Sequence, residues 1–405
     1  MKDAYLIDGV RTAVGNYTGS LSTVRTDDMA ALVLKKLMER NTTIDATTIG
    51  DVIIGCANQA GEDNRNVARM ALLLAGFPLT IPGETVNRLC ASGLSASIAA
   101  ARAIMVGDSD LMISGGVENM TRGPWVISKT STPFGKDAQM FDSTFGWRFI
   151  NPKMKEMYGV DAMGVTAENL ADMYKISRED QDMFSYLSQQ KATKARNAGR
   201  FASEIVAVEI PQKKGDVKVF DTDEFIKQDT SLEILAKLKP SFRKDGTVTA
   251  GNASGLNDGA AALLFASENA IKEYKLVPKA RIVSSAAVGV EPRIMGIGPV
   301  EASNKALAKA GLKMSDMDVI ELNEAFAAQS LACIRKWGLS DNDPRINPNG
   351  GAIAIGHPLG MSGARILNSA AIELQKQNKK YALVTMCIGV GQGYAVVIEK
   401  VKNHS

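Results

Sequence analysis

Two stretches of the chain repeat one order of amphipathic and buried segments. Asp28-Met-Ala-Ala-Leu-Val-Leu-Lys-Lys-Leu-Met places apolar residues at helical spacing, and Asp51-Val-Ile-Ile-Gly then steps from an acidic residue into a short apolar run. Ala302-Ser-Asn-Lys-Ala-Leu-Ala-Lys-Ala followed by Asp318-Val-Ile-Glu-Leu repeats that order. The first pattern predicts a surface helix and the second a buried strand. The two acidic steps are 318 − 51 = 267 residues apart.

The same offset recurs downstream. Thr85-Val-Asn-Arg-Leu-Cys90-Ala-Ser-Gly leads into an Ala/Ser-rich helical run, and Asn349-Gly-Gly-Ala-Ile-Ala-Ile-Gly-His357-Pro-Leu-Gly-Met-Ser-Gly leads into another, with 357 − 90 = 267. Each predicted helix is followed by a strand that ends at glycine, Leu111-Met-Ile-Ser-Gly-Gly and Ala382-Leu-Val-Thr-Met-Cys-Ile-Gly. Chance similarity between α/β patterns rarely keeps register over such distances, so the chain reads as two copies of one unit. Alternating strands and helices predict a mostly parallel sheet covered by helices. The repeat puts Cys90 and His357 at equivalent strand-to-helix turns, where a pseudo-twofold axis brings them together.

Between the copies, residues 121–248 turn polar and Met-rich and read as an inserted lobe. One helix is plain there: Ser177-Arg-Glu-Asp180 has the form of a capping box, and the run stops at Gly199. The predicted division is therefore 1–120 with 249–270, the insertion 121–248, and a second half 271–402.

Composition narrows the chemistry. The chain has 405 residues, enough for two fused halves, and aromatics are only 6%, so the core is aliphatic. A net charge of +3 gives no electrostatic footprint for nucleic acid, and short basic runs such as Lys379-Lys380 read as solvated surface. Cys56, Cys90, Cys333 and Cys387 form no C-x-x-C pair, which argues against a metal site or disulfide framework and for a reducing cytoplasm. Neither a leader, a membrane-spanning run of eighteen uncharged apolar residues nor a peroxisomal C-terminus is expected. Only two histidines exist, and His404 is next to the last residue, so a histidine base has to be His357.

Read alone, each candidate has two meanings. Cys90 precedes a helix whose exposed N–H groups would lower a thiol pKa, or it is an inert buried Cys. His357, on a loop with Gly350, Gly351, Gly356, Gly360 and Gly363, is a base for Cys90 or a hydrogen-bonded structural His. Cys387, in Cys387-Ile-Gly389-Val-Gly-Gln-Gly, is a proton-exchanging thiol or a small core residue. Its glycines have the wrong spacing for a dinucleotide loop. Asn323, after Val319-Ile-Glu-Leu, holds a water or carbonyl, or forms a turn. Arg148, between Trp147 and Phe149, is a contact for a substrate carboxylate or an ordinary surface or interface Arg.

Asn87-Arg-Leu-Cys90-Ala-Ser-Gly, Asn323-Glu-Ala-Phe326, Gly356-His357-Pro and Cys387-x-Gly389, with Gly251-Asn-Ala-Ser254-Gly, resemble the ordered signature blocks of the thiolase family almost end to end. The resemblance implies an α/β fold of duplicated βαβαβαββ halves in five layers (α/β/α/β/α) with an inserted loop domain. It implies Cys90 as the acyl-accepting nucleophile, His357 as its activator, Cys387 as the acid/base at the α-carbon, and Asn323 holding a water beside His357. The N–H groups of Cys90 and Gly389 would form a second oxyanion hole. Ser254, Met163, Lys227, Ala250 and Phe326 would contact coenzyme A, a substrate here, with no metal or other cofactor. Partners would be CoA and acyl-CoA, with no nucleic acid or membrane, and the chain would be a homodimer or homotetramer. Asn58-Gln-Ala-Gly-Glu-Asp-Asn-Arg-Asn-Val-Ala-Arg69 and Phe145-Gly-Trp-Arg148-Phe-Ile-Asn-Pro152 are most similar to the branch that cleaves 3-oxoadipyl-CoA. The Tyr-His-Met run of short-chain biosynthetic members is replaced by Asp161-Ala-Met163. Competing readings are acetoacetyl-CoA or general 3-ketoacyl-CoA thiolysis and, in other classes, a papain-like hydrolase, a decarboxylating condensing enzyme or a non-catalytic acyl-CoA carrier. The hydrolase leaves Cys387 and the repeat unexplained. The condensing enzymes often use two histidines, and a carrier needs no reactive thiol.

Overall fold

The computed structural model describes residues 2–401; His404 and residue 402, the end of the predicted second half, lie outside them. The first half contains β1 (Tyr5–Thr12), α1 (Thr26–Arg40), β2 (Val52–Gly55), α2 (Val67–Leu74), β3 (Gly83–Val86), α3 (Ser92–Val106) and β4 (Leu111–Asn119). The insertion holds α4 (Met163–Tyr174) and α5 (Arg178–Asn197). There follow β5 (Asn257–Ala266), β6 (Ala280–Gly289), α6 (Gly298–Ala310), β7 (Val319–Leu322), α7 (Ala327–Lys336), α8 (Leu359–Gln377), β8 (Tyr381–Ile388) and β9 (Gln392–Lys400).

The strands follow the path β7-β8-β9-β6-β1-β5-β4-β2-β3 through an 11-stranded sheet completed by two short strands. It is two half-sheets of identical order. From the centre outward they read β1-β5-β4-β2 and β6-β9-β8-β7, each with one parallel pair (β2/β4, β7/β8) and antiparallel pairing elsewhere. They meet where Tyr5 and Leu6 of β1 pair with Arg281 and Ala280 of β6. Even the edge is repeated: β3 pairs with β2, and Ile346 forms a parallel bridge to Ile320 of β7.

Strands buried on both faces divide their side chains between layers. Leu263, Phe265, Val384 and Val396 face a central layer formed by α3 and α8, through Leu94, Ile98, Ile366 and Leu367. Leu264 and Ile113 face Leu34 of α1 and Leu72 of α2 on one outside. Leu383 and Val397 face Val300 of α6 and Leu331 of α7 on the other. The layering is α/β/α/β/α. Leu89–Val106 is long and apolar enough to cross a membrane by composition, but here it is a central-layer helix packed on β4 and α8.

The N-termini of α3 and α8 approach at backbone contact. A methyl group on Gly93 would collide with the Gly360 carbonyl, and one on Gly363 with the backbone of Leu94, so only glycine permits this crossing. The crossing brings the turn before each helix to the same place.

The insertion carries more helix than its sequence pattern reveals. α5 starts at Ser177, whose side chain accepts from the Asp180 N–H, and Gly199 follows its end at φ +69°. α4, not predicted, begins Met-Gly-Val-Thr, in which Gly, Val and Thr are weak helix formers; burial of Ala167, Leu170 and Ala171 stabilises it instead. Arg11 of β1, fully buried, ties the lobe down through both Asp223 oxygens (2.7 and 2.8 Å) and Glu204 (2.9 Å).

Candidate active site

Cys90 lies in the turn between β3 and α3, after a left-handed residue, Leu89, at φ +46°. Such a conformation persists in a non-glycine residue only where surroundings over-determine it. Here Asn87 Oδ1 accepts from the Leu89 N–H (2.9 Å), Asn87 Nδ2 donates to the Ala57 carbonyl (3.0 Å), and the Ser92 hydroxyl donates to the Leu89 carbonyl (2.7 Å). The Cys90 thiol faces two backbone N–H groups, its own and that of Gly389 just past β8. Val390, next to Gly389, is also left-handed (φ +63°), a conformation strained for a β-branched residue.

Those N–H groups favour the thiolate, as the helix N-terminus predicts, but burial outweighs them and the thiol pKa is pushed up to about 11. The expectation of a depressed pKa is corrected: the thiol rests protonated and needs a base at the moment of attack.

His357 precedes α8, its ring buried. Burial, with a smaller contribution from the Arg365 charge, lowers its pKa to about 3, so the ring is neutral across the physiological range. Its tautomer follows from one neighbour. The Ser362 hydroxyl donates to the Pro358 carbonyl (2.8 Å), so in its 2.6 Å contact with His357 Nδ1 the hydroxyl accepts. The proton is therefore on Nδ1, and Nε2 presents its lone pair, to which Asn323 Nδ2 donates at 3.3 Å. Asn323 Oδ1 is buried without a partner among the described residues. Sequence reasoning passed over Ser362, whose five-residue spacing from His357 becomes a contact only through the first turn of α8. Ser362→Ala leaves Nδ1–H unpaired and frees the tautomer. Catalytic efficiency is expected to fall roughly 10- to 100-fold, as for removal of other ligand-orienting partners, with KM for CoA unchanged. A loss under about threefold in steady-state assays would remove Ser362 from this role.

Cys387 is the buried penultimate residue of β8, packed with Met163, Ala253 and Phe326. Its pKa is raised well above the usual thiol value by burial first and then by the neighbouring Cys90. Asn323 is held to the adjacent strand through its N–H on the Thr385 carbonyl (3.0 Å). The signature residues thus form two linked groups: Cys90 with Gly389 and Cys387, and His357 with Asn323. They are joined by the packing of the Cys90 turn against β8 and α8.

Cys90, Gly389 and Met163 line a cavity of about 540 Å³, mostly apolar, roofed by residues 143–149 of the insertion. Leu359, two residues after His357, is in the same wall. Of the other residues expected to contact CoA, Phe326 is buried beside Cys387 and bridges Ala253, and Ser254 follows, its N–H on the Ala325 carbonyl (2.9 Å). Ala250 and Lys227 are exposed and outside that wall, Lys227 lying over the Phe225 ring.

Glu118, at the back of the cavity, was also missed. It is buried and accepts the N–H groups of Ala57 (3.0 Å), Asn58 (3.0 Å) and Gly360 (2.9 Å), clamping a first-half loop to the first turn of α8. Burial raises its pKa to about 7 against those donors. Cys56, Asp63 and Glu118 set ligand-type atoms within 4.8 Å of one another. The Cys56 thiol and the backbone donors already engage these oxygens, and the cluster reads as a hydrogen-bonded buttress.

Comparison with known proteins agrees with this geometry. The family model "Thiolase, N-terminal domain" matches residues 4–269 and "Thiolase, C-terminal domain" matches residues 276–400. The chain is 57% identical over 401 residues to the 3-oxoadipyl-CoA/3-oxo-5,6-dehydrosuberyl-CoA thiolase of Escherichia coli strain K12, covering 99% of this chain and 100% of that one. It is 56% identical, with the same coverage, to a beta-ketoadipyl-CoA thiolase of Acinetobacter baylyi. The crystal structure of the Bacillus anthracis acetyl-CoA acetyltransferase superposes with a TM-score of 0.92 at 38% identity over 99% of both chains. With both family domains matched in order along one chain, and the duplicated fold to go with them, the protein belongs to the thiolase family.

Proposed function

We propose that the protein cleaves 3-oxoadipyl-CoA with CoA, giving succinyl-CoA and acetyl-CoA. The observation that carries this reading is that Cys90 and Gly389 line a mostly apolar cavity whose roof includes Arg148, with Cys387 buried beside Cys90. Full-length relatives at 55–57% identity are named for beta-ketoadipyl-CoA or 3-oxoadipyl-CoA, which supports the choice of acyl group.

His357 Nε2 takes the Cys90 proton as sulfur attacks the C3 carbonyl. The oxyanion is met by the N–H groups of Cys90 and Gly389, which already face that sulfur. The C2–C3 bond breaks, its electron pair becomes the acetyl-CoA enolate, and the Cys387 thiol gives its proton to C2. The enolate oxygen is stabilised by a water on Asn323 Oδ1 and by His357, now a donor at Nε2; the partnerless oxygen supports this assignment. CoA then attacks the acyl group on Cys90, its proton goes to the Cys387 thiolate, and His357 returns a proton to Cys90. Atoms and charges balance with the two thioesters and CoA alone. The proposal extends to a homo-oligomer: Trp125, Ile127, Phe134 and Met140, on one hairpin of the insertion, are exposed apolar surface of the kind that self-association covers.

The test is CoA-dependent cleavage across 3-oxoacyl-CoAs that differ in length and terminal charge. Catalytic efficiency is expected to be highest for 3-oxoadipyl-CoA. A clear preference for acetoacetyl-CoA would replace this reading with the short-chain one.

A further inference from the structure

Arg148 lines the cavity that contains Cys90 and is half-buried there. Its Nη1 donates to the Ser143 carbonyl at 3.3 Å, and among the described residues no carboxylate lies within ion-pair distance. Among the described residues the Nε–Nη2 edge of the guanidinium has no partner. An uncompensated cation in an apolar cavity is costly, and that edge is the one that takes a carboxylate side-on through two parallel hydrogen bonds.

The side chain is also placed rather than free. Trp147 on one side donates from Nε1 to the Asp161 carbonyl (3.4 Å), and Phe149 on the other packs edge-on against Phe141, ring centroids 4.9 Å apart. Phe149 is left-handed, φ +50°, so the backbone turns at this point against its preference. The Ser143 carbonyl that anchors Nη1 is itself fixed by Asn58 Nδ2 (3.0 Å), and the Asn58 N–H is fixed by Glu118. A chain of contacts thus runs from the floor of the site to the guanidinium.

We infer that Arg148, positioned by Asn58 through the Ser143 carbonyl, is the receptor for the terminal carboxylate of ω-carboxylated 3-oxoacyl thioesters. It makes the enzyme select that charge within the acyl pocket. The inference rests on the substrate reading above and assigns the residue that enforces it. A long arginine arm on a roof loop meets carboxylates at more than one reach, so the selection is for charge before chain length.

The test pairs 3-oxoadipyl-CoA with 3-oxohexanoyl-CoA, the same six-carbon chain ending in methyl. Arg148→Gln is expected to lower kcat/KM for the first by about 100-fold, the scale of one lost charge-assisted pair, and to leave the second within about threefold. Arg148→Lys, which keeps charge but not the fork, is expected to lose about tenfold on the first alone, and it serves if the Gln variant does not fold. Asn58→Ala is expected to reproduce part of the loss, again only for the carboxylated substrate. Equal losses on both substrates, or an unchanged ratio, would overturn the assignment. If the wild-type enzyme shows no preference for 3-oxoadipyl-CoA over 3-oxohexanoyl-CoA, the substrate reading itself fails. If it shows the preference and Arg148→Gln keeps it, only Arg148 is wrong.

Discussion

Cys90→Ser is expected to lower CoA-dependent cleavage by about 10⁴-fold or more, the scale seen when a covalent nucleophile is removed. The size of the effect follows from the pocket. The wild-type thiol is already hard to ionise there, near 11, and a serine hydroxyl starts several units higher in the same apolar surroundings. His357, near 3, is too weak a base to make up that difference before the oxyanion donors engage. The proposed oxyanion hole consists of backbone N–H groups and is kept in the variant, so loss of turnover isolates the sulfur. Intact-mass measurement gives the second readout: the wild-type chain gains one acyl group when incubated with acyl-CoA, and the variant gains none. Turnover above about 1% of wild type, or acylation of the variant, would place the nucleophile elsewhere.

The fold was readable where the repeat is strict and unreadable where it slips. Adding 267 to Val52 and Gly55 gives Val319 and Leu322, the bounds of β7, and adding it to Ser92 gives Leu359, the start of α8. At those two points the offset seen between Cys90 and His357 is structural register, although α2 and α7 between them start 327 − 67 = 260 residues apart. Past Leu359, α8 runs to Gln377, four residues beyond the image of Val106 (106 + 267 = 373), and the next strand starts at Tyr381 rather than 378. One added helical turn absorbs the slip. Cys90, His357 and Cys387 were legible because each sits at the end of such a strand or the start of such a helix. Ser362 and Glu118 were not. A serine inside a helix and a glutamate inside a strand carry no local signal; Ser362 reaches His357 only through the first turn of α8, and Glu118 reaches Gly360 only once the two halves have packed. The direction of the Cys90 shift was misread for a related reason: a helix N-terminus is visible in sequence, whereas the depth of burial that outweighs it is tertiary.

Cys387→Ala is expected to separate the two halves of the reaction. Cleavage of 3-oxoadipyl-CoA should fall about 10³-fold, within the range for loss of a positioned acid/base. Exchange of an acyl group between acyl-CoA and labelled CoA should stay within about tenfold of wild type. The difference follows from where each proton comes from. In the exchange assay no carbon is protonated, so the Cys387 thiol would never give up its proton, and His357 carries the proton between the Cys90 and CoA sulfurs in both directions. Breaking C2–C3 leaves an electron pair on carbon, and in the proposed mechanism the buried thiol on β8 protonates it. Its raised pKa suits that step, because a thiol that stays protonated at rest is loaded as an acid when the strongly basic enolate forms. The converse follows by microscopic reversibility: solvent deuterium should enter the methyl group of acetyl-CoA with the wild-type enzyme and not with the variant. The substitution removes one buried sulfur among Met163, Ala253 and Phe326, a small change in volume, so the exchange assay also reports that the site is still assembled. If exchange and cleavage fell together, Cys387 would be a packing residue of the Cys90 turn, and the proton on carbon would need another source.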